Sequence, residues 1–94
     1  MEIKIIHDKE HHKFVCEIEG KISHLKYKVL PDGKTLDYRS TYVPPELRGR
    51  QIADQMVKAG LEYAKANKYK VIPSCSFVRA YIERHPEYKE IVVE

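Results

Sequence analysis

Val43-Pro44-Pro45-Glu46-Leu47-Arg48-Gly49-Arg50-Gln51-Ile52-Ala53 joins a run of strand-type residues to the start of a helical pattern. The two prolines stop a strand because neither can donate to a ladder, and Pro45 suits an early helical position. Beyond them a glycine flanked by arginines opens a helix N-terminus, where unpaired N–H groups and the helix dipole favour an anion. Gly49 lets a bulky phosphate approach the backbone closely. This segment therefore divides the fold in two and is also a candidate pyrophosphate site, with Val43, Arg48, Gly49, Arg50, Gln51, Ile52 and Ala53 as candidate contacts.

On its N-terminal side the chain reads as an antiparallel meander, because apolar and polar residues alternate with the period of a half-buried strand. Ile3 and Ile5 start it. Phe14, Cys16 and Ile18 share one face of a second segment, Gly20 marks a turn, and Leu25, Tyr27 and Val29 share one face of a third. Pro31-Asp32-Gly33 supplies the fixed and positive φ angles of a tight reversal, after which a fourth strand runs to about Val43.

On its C-terminal side Ile52, Met56, Val57, Ala59, Gly60, Tyr63 and Ala64 recur at three- and four-residue steps, predicting a helix from about Gln51 to Ala66 that ends near Asn67. Tyr69 to Pro73 is a short β-type run, Phe77 to Arg84 a second, shorter helical pattern stopped at His85-Pro86, and Ile91 to Val93 a candidate edge strand. That order predicts an α+β fold. Four antiparallel strands are followed by a long helix, a fifth strand added in parallel through a right-handed crossover, and a short C-terminal helix. A ligand belongs where the antiparallel and parallel regions meet.

At 94 residues, with 43% apolar and 33% charged residues, the chain fits one domain spanning 1–94, and a large ligand has to use a surface groove. A net charge of +3, with Lys and Arg interspersed among 14 acids, is weaker than the basic face of a nucleic-acid binder, so no nucleic-acid partner is expected. No apolar run approaches the roughly 20 residues of a membrane helix, and nothing from Met1 to Glu10 reads as a targeting segment. Cys16 and Cys75 lie far apart, outside any metal-ligand spacing, which fits a reducing, cytoplasmic setting and no metal. His11-His12 lacks a third ligand and reads as a solvated loop.

The Arg48 to Ala53 loop resembles the acyl-CoA pyrophosphate loop of the GNAT superfamily, whose pattern is Gln or Arg, two residues, Gly, one residue, then Gly or Ala. Arg48 and Ala53 match its ends, and Gln51 stands where the middle glycine is expected. Lys70-Val71-Ile72-Pro73-Ser74-Cys75-Ser76-Phe77-Val78 is similar to the second signature of small Yjdj-type GNAT-like acetyltransferases. The resemblance covers nearly the whole chain.

It implies a GNAT-like mixed sheet and an acetyl-CoA or CoA groove where the fourth and fifth strands splay. Ser74, Ser76 and Arg79 would join the loop in binding the cofactor, with Cys75 near the thiol end as the catalytic candidate. It further implies an N-acetyltransferase acting on an exposed amine of a small molecule, peptide, protein or polyamine. Family members commonly read His-Thr before the Val-Pro step, whereas this chain has Ser40-Thr41-Tyr42-Val43, leaving Tyr42, Asp37 or a water chain to take the amine's proton. Together with Gln51, that departure keeps a second reading open, a CoA or acyl-CoA binding module with little or no transfer. Cys75 suits both a reactive and a packing role. Arg84 could also reach the phosphates, and Tyr63 and Tyr81 sit at spacings suited to core packing.

Overall fold

A computed structural model describes residues 3–93, so Met1, Glu2 and Glu94 of the expected domain lie outside the described residues. Five strands form one sheet in the order of the chain: β1 (Ile6–Asp8), β2 (Lys13–Ile18), β3 (Lys21–Val29), β4 (Thr35–Tyr42) and β5 (Lys70–Pro73). The first four are antiparallel to their neighbours and β5 joins β4 in parallel. Between them runs α1 (Ile52–Ala66), and α2 (Ser76–Arg84) follows β5. This is the expected mixed sheet, with a 3-10 turn at Pro45–Leu47 preceding α1 and another at Pro86–Ile91 after α2.

Ladder pairing begins at Ile6, three residues after Ile3. Ile3 and Ile5 still pack against the core, and His7 continues their side of the alternation by stacking on Phe14 at 4.1 Å between ring centroids. At the other end, Ile91 closes the last 3-10 turn and only Val92 bridges Val71, so the expected edge strand shrinks to a single parallel bridge. Asp32 caps the reversal into β4 by accepting from the N–H groups of Lys34 and Thr35 at 2.8 and 3.0 Å.

The core lies between one sheet face and α1. Ile52, Met56, Gly60 and Ala64 make one row of the helix, and Val57 and Leu61 widen it; Leu61 is fully buried although the stripe read from the sequence omitted it. Gly60 sets the helix backbone directly against the sheet. Its carbonyl accepts from the Tyr38 hydroxyl at 2.6 Å, and an added Cβ would meet Leu25 Cδ2 at 3.1 Å.

A bulge in β4 changes which side chains face α1. Tyr27 opposes Tyr38 but Lys26 opposes Ser40, so Arg39 is the extra residue. Because cross-strand partners share a face, Tyr38 and Thr41 both lie on the core side, with Tyr27 and Leu25, while Ser40 and Tyr42 lie on the other.

Candidate functional site

The β4–β5 ladder runs from Thr35↔Lys70 to Tyr38↔Pro73 and stops, although β4 continues to Tyr42. One further bond, from Cys75 N–H to the Tyr38 carbonyl at 2.9 Å, holds the end of β5 before the chain turns into α2. Beyond it the two strands part. An open groove of about 560 Å³ begins there, walled by Thr41, Tyr42 and Val43 from the end of β4 and by Phe77 and Arg84 from α2. Its floor and far end are Leu47, Arg48, Gly49, Gln51, Ile52, Ala53 and Asp54, the loop and first turn of α1.

The far end gathers free helix N–H groups and two guanidiniums with the Asp54 carboxylate. The first helical bond of α1 is Gln55 N–H to the Gln51 carbonyl, so the amides of Ile52, Ala53 and Asp54 have no acceptor within the helix. Gly49 has φ +87, and a Cβ built on it meets nothing within 4 Å, which leaves open space over its backbone. Arg48 Nε donates to the Val43 carbonyl at 3.0 Å, fixing the base of its side chain against the strand end. From α2, Arg84 Nη2 reaches Asp54 Oδ1 at 3.2 Å and brings a second guanidinium to the wall. This donor set fits the doubly charged pyrophosphate of CoA.

Gln51 is left-handed, with φ 61 and ψ 23, and no side-chain bond caps the helix there. It is the residue before α1 and not its first helical residue. The backbone thus keeps the conformation a glycine would take easily, while a glutamine occupies it.

At the near end Cys75 Sγ is 3.3 Å from Thr41 Oγ1, and Thr41 lies on the groove wall. Cys75 is the residue before the first turn of α2 and is partly exposed. Ser74 turns the other way: its hydroxyl donates to Asp37 Oδ1 at 2.5 Å, and Arg39 Nη1 donates to Asp37 Oδ2 at 3.3 Å. Asp37 is therefore committed to tying β4 to the end of β5.

Of the residues expected to contact a cofactor, Val43, Arg48, Gly49, Gln51, Ile52 and Ala53 come together on the groove. Arg50 sits in the same loop and pairs with Glu19 at 3.5 Å. Ser76 begins α2. Arg79 lies elsewhere: Nη2 donates to the Pro73 carbonyl at 3.0 Å, and the residue lines a separate cavity with Ile82, Glu83 and Lys89. The reason is helical phase. Phe77 and Arg84 are seven residues apart and share a face, whereas Arg79 is about 200° round from Phe77. Tyr81 is buried against His85 and Tyr88, and Tyr63 packs on His7, so both are packing residues. Thr41, Phe77 and Asp54 were not anticipated; the seven-residue spacing from Phe77 to Arg84 was the one available signal.

Comparison with known proteins gives the same architecture. The solution structure of a GCN5-like protein from Staphylococcus aureus superposes with a TM-score of 0.72 at 26% identity, over 96% of this chain and 87% of that one. The Danio rerio protein NATD1 is 29% identical over 97% of this chain and 86% of its own length, and Homo sapiens NATD1 is 29% identical over 89% and 75%. The sequence model of the GCN5-related N-acetyl-transferases matches residues 13–91, a span that takes in four of the five strands, both α-helices and the whole groove. The chain belongs to the GCN5-related N-acetyltransferase family.

Proposed function

We propose that the protein transfers an acetyl group from acetyl-CoA to an exposed amine of a peptide, protein or polyamine. One observation carries the reading: a single groove is lined both by the N-terminus of α1 and by Thr41, whose hydroxyl is 3.3 Å from Cys75 Sγ. Acetyl-CoA supplies a thioester carbonyl to an amine nitrogen, so that a C–N bond forms, the C–S bond breaks, the sulfur departs as a thiolate and the nitrogen sheds a proton to water at the groove, beside Tyr42.

The chain's own part is binding, orientation and proton movement. The amides of Ile52, Ala53 and Asp54, with Arg48 and Arg84, hold the pyrophosphate. Leu47, Val43 and Phe77 offer apolar surface between the two ends. Cys75 is the proton donor or the nucleophile at the reacting end, oriented by Thr41. The open side of the groove leaves room for a large acceptor.

Ser40 and the strained Gln51 favour a second reading, a CoA-binding module without transfer. Two measurements separate them. A rise in melting temperature with CoA that weakens with salt supports the groove under both readings. Appearance of acetylated product from a panel of peptides and polyamines supports transfer, and CoA binding without product supports the module.

A further inference from the structure

On the sheet face away from α1, the ladders set Ile6, Val15, His24 and Tyr42 across from one another in one row over four strands. Ile6 and Tyr42 are 52% and 45% exposed, and Ile22, two residues from His24 on the same face, is 53% exposed. These are three of the four large hydrophobics most exposed among the described residues. The row ends at Tyr42, which is also a wall of the groove.

Beside the apolar row lies a cationic one. Lys13 and Lys26 are cross-strand partners, and Lys28 follows on β3. Asp8 is the cross-strand partner of Lys13, Asp37 that of Lys28 and Ser40 that of Lys26, yet among the described residues none of the three lysines has a carboxylate within ion-pair distance; Asp8 binds His11, and Asp37 binds Arg39 and Ser74. The field of these lysines is felt at His24, whose imidazole is held below its ordinary value by burial and then by Lys26 and Lys13.

We propose that this face docks an acidic, partly apolar peptide segment that carries the acceptor amine, with Tyr42 the corner over which the amine enters the groove. The proposal rests on the transfer reading of the groove and names its acceptor class. Charge complementarity selects the occupant. A second copy packed face to face would set Lys13 and Lys26 against their own images, and a nucleic-acid backbone has no apolar side chains to cover Ile6, Ile22 and Tyr42. Three inter-strand spacings of about 4.8 Å make the row about 14 Å long, room for about four extended residues.

The test uses the full chain and two fluorescein-labelled peptides with one central lysine, one flanked by glutamate and leucine, the other by lysine and leucine. Anisotropy at low salt should show tighter binding of the acidic peptide. The double variant Lys13→Glu/Lys26→Glu should weaken it about tenfold and reverse the order of the two peptides. Lys13→Gln/Lys26→Gln, a milder change, should remove the preference if the reversal compromises folding. In all variants the CoA-induced melting shift should be unchanged, which separates failure of docking from failure of the groove. Acidic peptide that binds with the expected order but gains no acetyl group supports the face and removes the transfer reading. Equal binding of both peptides, an unchanged order in the charge variants, tighter binding of a labelled single-stranded oligonucleotide than of the acidic peptide, or a dimer in sedimentation that is lost in the charge variants would each overturn the proposal.

Discussion

Thr41 Oγ1 and Cys75 Sγ stand 3.3 Å apart, just beyond the last paired residues of β4 and β5. Thr41 lines the groove, so the contact sets Cys75 one side chain away from it. Cys75→Ser should therefore lower acetyl transfer about tenfold or more while changing CoA affinity little, since the anion site lies at the other end. Turnover and calorimetry on the same preparation check this. Peptide mapping after incubation with acetyl-CoA should show acetyl on the Cys75 peptide if the thiol is the nucleophile, with buried Cys16 as the internal control. Full turnover in Cys75→Ser would reduce Cys75 to a packing residue.

Gln51→Gly should stabilise the fold. Read from the sequence, position 51 begins the helix, and glycine there costs helix propensity. The structure reverses the sign, because Gln51 precedes α1 in the left-handed region, where a side chain costs about 1 kcal/mol relative to glycine. In a chain of 94 residues that is a rise in Tm of about 4–8 °C. CoA affinity should hold or improve. A lower Tm with weaker CoA binding would show that the glutamine side chain supports the loop.

Arg84→Ala and Arg79→Ala should behave differently although both change α2. Arg84 lies on the groove and Arg79 on the Pro73 carbonyl. The first should weaken CoA binding about tenfold and reduce its salt dependence, as expected on losing a partly desolvated charge opposite a phosphate. The second should leave CoA binding unchanged. Equal effects on affinity would mean that the two guanidiniums do not differ in their access to the ligand.

Strands β2 to β5, the reversal at Asp32 and most of the stripe of α1 were legible because each depends on a local period or a turn residue. The first strand, by contrast, starts later than its apolar residues, and the C-terminal run makes only one bridge. Two features of the site were not legible. The bulge at Arg39 has no glycine or proline to announce it, yet it moves Thr41 to the core side and so brings it to Cys75; strict alternation would have given that place to Ser40 or Tyr42. Gln51 carries a glycine's conformation without a glycine's sequence signal, so the start of α1 came out one residue early. The choice between Arg79 and Arg84 was legible in principle, since only Arg84 shares a helical face with Phe77.

Gly60→Ala should destabilise by about 1–3 kcal/mol despite its better helix propensity. The new methyl meets Leu25 Cδ2 at 3.1 Å and Tyr38 Oη at 3.2 Å, and both of these side chains are buried in the core. Chemical denaturation with an unchanged m-value checks it. A neutral result would mean that α1 can lift from the sheet without loss.

Acid should weaken the fold through His7 as pH falls below about 6.5. His7 Nε2 is 2.6 Å from Tyr27 Oη, with its ring stacked on Phe14 and edge-on to Tyr63. Burial pushes the Tyr27 hydroxyl up to about 12, so it stays protonated and is hydrogen-bonded to the neutral His7 ring. Burial first and Lys9 next hold His7 below its ordinary value, with Asp8 opposing and His12 adding. In the folded protein the imidazole is therefore harder to protonate than in the unfolded chain, which binds the extra proton at intermediate pH. Stability consequently rises with pH across this window: the contribution is complete above the unfolded value of about 6.5 and is lost as pH falls through the lower folded value. His24 is shifted in the same direction, by burial and then by Lys26 and Lys13, and adds to the slope. Asp8 and Asp32 are held below the usual carboxylate range by their hydrogen bonds and act only at lower pH. Melting temperatures should therefore fall on going from pH 7.5 to pH 5. His7→Phe should flatten part of that fall by removing one titrating group, even if its Tm at pH 7.5 is lower because the Tyr27 hydroxyl has lost its hydrogen-bond partner. His11→Gln, at an exposed turn residue, should keep the His7-dependent slope. An equal fall in the unmodified protein and in His7→Phe would assign the acid sensitivity to other groups.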